Sequence, residues 1–196
     1  MTSKIYLKTT NSSGTNLIVR DKSTFDIKQH SETIDNWLKQ DLYVYSREWA
    51  YKDIPSKIII EELLEDDTGK QDIVDYKFLC YQGQPRYIVY DQDRFSGHKR
   101  NIYDIDWNLI PCTTDVPKIE ESIEKPLLLD EMLRIATKLS EDFPFVRVDL
   151  YCVNKKIYFG ELTFYPWSGY VKFDPEECDV LLGEKININE IRRDNK

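Results

Sequence analysis

Residues 145–169 read FVRVDLYCVNKKIYFGELTFYPWSG, and how the two halves pair decides both the fold and where the chemistry lies. Two alternating runs flank a short polar turn. Arg147 and Asp149 stand in the first run, Glu161 and Thr163 in the second. Partners across antiparallel strands point to the same face of a sheet. A three-residue turn at 154–156 sets 149 opposite 161 and 147 opposite 163. One face then carries a guanidinium, two carboxylates and a hydroxyl, while Val146, Val148, Leu150, Leu162 and Phe164 enter a core. A two-residue turn, Asn154-Lys155, pairs 149 with 160 and sends Glu161 to the other face, because a slip of one residue inverts every side chain. The three-residue turn is expected because it leaves the carboxylates on a solvated face. Carboxylate and hydroxyl oxygens suit Mg²⁺, and a guanidinium suits phosphate. An ordinary hairpin with a solvated polar face has the same pattern.

Outward from this hairpin the order of elements reads as α+β. Residues 4–9 and 16–20 alternate around the polar segment 10–15, a first hairpin. Residues 26–40 place Ile27, Ile34, Trp37 and Leu38 on a helical stripe. An apolar run, 58–64, ends in an acidic cluster. Residues 76–81 and 86–91 form a second hairpin across Gly83. The stretch 92–125 is polar, contains prolines and reads as mostly irregular. Pro126 and Asp130 introduce a helix to about residue 140, with Leu129, Leu133, Ala136 and Leu139 inward. The tail after Tyr170 is acidic and then mixed, and its end, 190–196, is expected to fray.

Composition bounds the function. A chain of 196 residues, 41% hydrophobic and 32% charged, suffices for one domain with a sizeable core. Its formal net charge of −8 argues against a nucleic-acid surface. No apolar run is of membrane-spanning length and no signal peptide is evident, so a cytoplasmic location is expected. Cys80, Cys112, Cys152 and Cys178 are too widely spaced for a zinc site. Cys80 and Cys152 lie in strand-like runs and read as buried thiols. His30 and His98 read as surface residues.

RVDLY, a turn, then YFGELTFYPxSG resembles the last two core strands of an ATP-grasp domain, and most closely the TupA-like branch, named for teichuronopeptide biosynthesis. The resemblance extends through YLKTTNSSGTNLIVRDK, SREWAYKDIPSKIIIEELLEDD, DYKFLCYQGQPRYI and NIYDIDWNLIP. It implies an ATP-grasp fold, two α+β subdomains with mainly antiparallel sheets sandwiching a nucleotide site. The expected division is subdomain 1 over about 1–62, subdomain 2 over about 63–185 and a tail, 186–196. The resemblance makes Asp149 and Glu161 metal ligands, with Thr163 where many relatives have Asn, and Arg147 the contact to the transferred phosphate. Lys8, Ser13 and Gly14 match a phosphate-covering loop. In that loop Asn11 and Ser12 replace a usual His and Gly. Glu61 or Glu62, with the backbone of Leu63 or Leu64, corresponds to the adenine contact; Asp75 and Lys77 fall near ribose and substrate.

The activity implied is an ATP- and Mg²⁺-dependent carboxylate–amine ligation through an acylphosphate, on small-molecule or glycan-linked substrates of cell-surface polysaccharide synthesis. ATP-grasp enzymes usually carry a further N-terminal domain. The sequence starts just before the first hairpin, which leaves room for a homodimer or a partner subunit to complete the cleft. Three other readings stay open. Asp91-Gln92-Asp93 and Asp104-Ile105-Asp106 both read D-x-D, a nucleotide-sugar motif of glycosyltransferases, although such tripeptides arise easily among 35 acidic residues. A kinase using the same cleft and a shortened non-catalytic homologue are the others.

Overall fold

Alternating sequence becomes strand throughout, and every pairing between named strands is antiparallel. The computed structural model describes residues 4–66, 69, 73–94 and 96–187. The tail 190–196 lies outside the described residues. The chain divides into two units, Met1–Leu64 and Glu65–Lys196.

In the first unit β1 (Ile5–Thr9), β2 (Asn16–Val19) and β3 (Ile58–Glu62) form a sheet in the order β2-β1-β3. The apolar run becomes the edge strand β3, exposed along its length. The helix expected over 26–40 starts as a 3-10 turn, Ile27–His30, under the Asp26 carboxylate, which accepts from the Lys28 N–H. It continues as α1 (Ser31–Lys39), with Ile34 buried. Ile27 is 56% exposed and does not join the stripe, because the change of helical pitch turns it away. A short helix, α2 (Leu42–Ser46), follows, capped by Asp41.

The second unit holds a six-stranded sheet. Its strands are β4 (Asp75–Tyr81), β5 (Gln84–Gln92), β6 (Lys99–Asp104), β7 (Leu109–Ile110), β8 (Phe145–Val153) and β9 (Lys156–Thr163), in the order β7-β6-β5-β4-β8-β9. β6 and β7 lie inside the stretch expected to be mostly irregular. Arg100 and Asn101 hid β6, since both are polar and both point into buried space.

The closing hairpin forms with a different turn from the one expected. Val153 pairs with Lys156, so the turn has two residues, and Asn154 and Lys155 both take positive φ, 51° and 59°. Two consecutive left-handed residues match the twist of a two-residue hairpin. The register then shifts by one residue at a bulge: Leu150 pairs with Phe159, but Asp149 pairs with Glu161. Gly160 is the extra residue. The convergent face therefore survives, through a two-residue turn plus a bulge rather than a three-residue turn.

Both faces of this sheet are covered. Phe78, Ile88, Val146, Val148 and Leu150 pack under α3 (Leu129–Ser140), which presents Leu129, Met132 and Ala136. Leu79, Tyr81, Val89 and Ile102 pack on the other face, against α4 (Glu177–Gly183) through Cys178 and Leu182. Cys178 is disulfide-bonded to Cys112. The wide cysteine spacing gives no hint of this bond or of α4. Cys80 is buried, and burial pushes its thiol up to about 12. Cys152 is only half-buried, contrary to expectation.

Candidate functional site

Strand alternation brings Asp75, Lys77, Arg147, Asp149, Glu161 and Thr163 to one face of the second unit. Lys77 pairs with Asp149 across β4 and β8, and Asp149 with Glu161 across β8 and β9. The Arg147 guanidinium donates through Nε and Nη2 to the two Asp149 oxygens, both at 2.7 Å, and through Nη2 to Glu161 Oε1 at 3.0 Å. Thr163 Oγ1 donates to the same Glu161 oxygen at 2.8 Å. Lys77 Nζ donates to Asp149 Oδ2 at 3.1 Å and to Asp75 Oδ2.

Asp149 and Arg147 on this face are buried, which corrects the expectation of a solvated face. Asp149 is 2% exposed and Arg147 7%, since the segment that follows β9 folds back over this half of the sheet. Glu161 stays open, its side chain 58% exposed. Burial works to raise the Asp149 carboxyl, but the Lys77 and Arg147 cations outweigh it and hold it below the usual carboxylate range. Asp75 goes the other way. Its burial exceeds the help of Lys77 and Arg94, its carboxyl is raised, and Oδ1 has no hydrogen-bond partner.

A second cluster adjoins the first, and the sequence alone did not reveal it. Arg100 donates through Nε and Nη2 to Asp91, at 2.6 and 3.0 Å. His98 Nε2 lies 3.1 Å from Asp91 Oδ1 without the alignment of a hydrogen bond, so His98 turns toward this cluster rather than standing clear of it. Arg94 donates to Asp75 Oδ2 at 2.7 Å. Lys77 lies 3.9 Å from Asp91 and joins the two clusters. The available signal was the charge pattern Asp91…Arg94…His98…Arg100 around β5 and β6.

Both D-x-D tripeptides have structural uses. Asp91 is bound by Arg100. Asp104 accepts from the N–H groups of Asp106 and Asn108 and from the Asn108 side chain, closing the turn before β7. Each leading carboxylate is already engaged.

The first unit holds the remaining candidates. Lys8 Nζ lies 2.9 Å from Glu61 Oε1 across β1 and β3, while Glu62 alternates to the opposite face. The Leu63 N–H donates to the Lys4 carbonyl at 3.4 Å, and Leu64 is half-buried. In the loop after β1, Ser13 and Gly14 are exposed and Gly14 has φ 77°. Thr9, Ser12 and Thr15 join their hydroxyls in a triangle with each edge 2.5 Å. Asn11 is buried, donating to the Gln40 carbonyl and accepting from Ser56.

Among the described residues no three His, Cys, Asp or Glu side chains converge as a ready metal cage. The donor types nevertheless fit a hard divalent cation: Glu161 has only Oε1 engaged and faces solvent, with Asp149 directly across the strands. Among the described residues no helix is long and apolar enough to cross a membrane.

Comparison with known proteins bears on the fold and the family. No curated protein matches in sequence. Among solved structures, the D-alanine–D-alanine ligase of Bacillus anthracis is similar at a TM-score of 0.53 and 18% identity, over 98% of this chain. The chain spans 57% of that ligase's length, so the likeness concerns the fold. The family profile described as TupA-like ATPgrasp matches residues 1–187, a span that takes in both units' sheets and every candidate residue above. With antiparallel sheets, an Arg-Asp strand paired to a Glu-Thr strand and a profile match over nearly its whole length, the chain belongs to the TupA-like ATP-grasp family.

Proposed function

We propose that this protein is an ATP- and Mg²⁺-dependent carboxylate–amine ligase. The observation that carries this reading is Arg147, held by a bidentate pair to Asp149 and by a third bond to Glu161. A planar guanidinium so held is preorganised for the oxygens of a phosphoryl group. The substrate carboxylate attacks the γ-phosphorus, ADP leaves, and the amine then displaces phosphate from the acylphosphate to give an amide. Arg147 and Lys77 offset charge that develops on the transferred group. Asp149 and Glu161 are the residues that would hold Mg²⁺, which neutralises phosphate charge when bound. Lys8, Ser13 and Gly14 are proposed phosphate contacts of the first unit. Glu61, Glu62, Leu63 and Leu64 are its proposed adenine contacts, and Asp75 is a proposed ribose or substrate contact in the second unit. The substrates proposed are acid and amine components of cell-surface glycans, and the proposed setting is the cytoplasm.

Calorimetry with ATP, ADP and a UDP-sugar, each with and without Mg²⁺, tests this reading. ATP binding that strengthens with Mg²⁺ is expected. Metal-dependent preference for the UDP-sugar would replace the reading with glycosyl transfer. Product analysis completes the test, since a phosphate ester in place of an amide makes the enzyme a kinase.

A further inference from the structure

The 3-10 turn Pro166–Gly169, which follows β9, contains a stretch of left-handed backbone: Trp167 has φ 52° and ψ 27°, Ser168 φ 55° and ψ 18°, and Gly169 φ 74°. Only glycine adopts this conformation without strain, and non-glycine strain of this kind gathers where function requires a fixed side chain. The turn sets the Trp167 indole against both charge clusters. Its ring centroid is 5.6 Å from Arg147 Cζ and 5.0 Å from Arg100 Cζ, both within cation–π range. The indole also packs on the apolar cluster that contains Leu79 and Val89, so it stands at the border between the apolar and charged parts of the face.

The chain fixes Trp167 from both sides. β9 precedes it. Behind it, Thr113 and Asp174 exchange backbone hydrogen bonds at 2.8 and 3.0 Å, and the Cys112–Cys178 bond ties α4 to the segment after β7. Arg147 has support of two kinds. Its bonds to Asp149 and Glu161 hold the Nε and Nη2 edge, and the indole supplies a contact to the guanidinium that is not a hydrogen bond.

We propose that Trp167 is a positioning residue whose indole, in contact with Arg147 and Arg100 together, fixes the Arg147 guanidinium in the orientation that receives phosphate. The phosphate role rests on the function proposed above; the placement of the guanidinium does not.

The test uses the full chain with ¹⁵N-labelled arginine, as Trp167→Phe and Trp167→Leu. In the unaltered protein, ring current should displace the Nε–H resonances of Arg147 and Arg100, assigned with Arg147→Lys and Arg100→Lys. Trp167→Phe should keep part of that displacement and Trp167→Leu should lose it. Calorimetry should show Mg²⁺-ATP binding weakened roughly tenfold by Trp167→Leu and largely recovered in Trp167→Phe. In an Arg147→Lys background, where no planar group remains to be stacked, Trp167→Leu should add little. Resonances unmoved by Trp167→Leu, or an equal loss of affinity in both backgrounds, would overturn the proposal. If the unaltered protein binds no nucleotide, the proposed function falls, while the resonances still decide whether the indole sets the guanidinium.

Discussion

Gly160 lies against the main chain of Asp149, so close that a β-carbon there would stand 3.0 Å from the Asp149 carbonyl oxygen and 2.9 Å from the Tyr151 ring. This approach allows the bulge that returns Glu161 to the face of Asp149. Gly160→Ala should therefore cost about 1–3 kcal/mol, the usual range for overpacking a close contact. It should also weaken Mg²⁺-dependent nucleotide binding, because relief of the clash moves Glu161. Urea unfolding and calorimetry measure the two effects; a variant as stable as the parent would show that the bulge can absorb a methyl group.

Asp149 and Glu161 pair across the strands but should respond differently to neutralisation. Asp149→Asn removes the charge from a buried group that serves both Arg147 and Lys77, and should destabilise by roughly 3 kcal/mol. Glu161→Gln alters a largely exposed side chain and should leave the unfolding midpoint nearly unchanged. Both should reduce Mg²⁺-ATP affinity. Equal stability of the two variants would contradict the burial difference.

The pH dependence should divide the carboxylates. Asp149 and Asp91 are lowered in the folded state: burial opposes the shift, and the cations that hold each carboxylate outweigh it. Each thus contributes stability that is present above the unfolded value of about 3.9 and is lost as pH falls toward the lowered one. Asp75 is raised, so its ionisation reduces stability as pH rises from the unfolded value through the raised one. Asp75→Asn should be at least as stable as the parent at pH 7, with the difference vanishing in acid. Thermal melts from pH 3 to pH 8 provide the measurement, and a difference largest in acid would reverse the sign.

Ser12→Gly separates two effects in the loop after β1. The change removes one corner of the hydroxyl triangle with Thr9 and Thr15 and should cost about 1 kcal/mol. It also clears the backbone for closer approach, and nucleotide should bind more tightly by about 1 kcal/mol or less. Chemical denaturation and calorimetry read the two separately. Affinity falling together with stability would mean that the triangle, rather than the open backbone, serves the ligand.

Period-two alternation made the three main hairpins legible, while the convergence of Arg147, Asp149, Glu161 and Thr163 was expected from a turn that the structure replaces. The turn was not legible in the same way, because alternation does not show where an extra residue enters a strand. Gly160 inside the run YFGEL is the available sign of a bulge. Burial of the polar face was hidden for another reason. The cover comes from Trp167, in the turn after β9, and the strand pattern of β8 carries no trace of it. β6 escaped notice because its inward side chains include Arg100 and Asn101, whose partners, Asp91 and Ile119, lie elsewhere in the sequence.

The described face carries Asp75, Asp91, Asp149 and Glu161 beside Lys77, Arg94, Arg100 and Arg147, so it supplies its own counter-ions. Not every group is spent. Among the described residues, Arg147 Nη1 and Glu161 Oε2 make no hydrogen bond. Under the proposed function, an incoming anion and an incoming cation would each find a vacant berth on the Arg147–Glu161 pair, side by side, without evicting a resident.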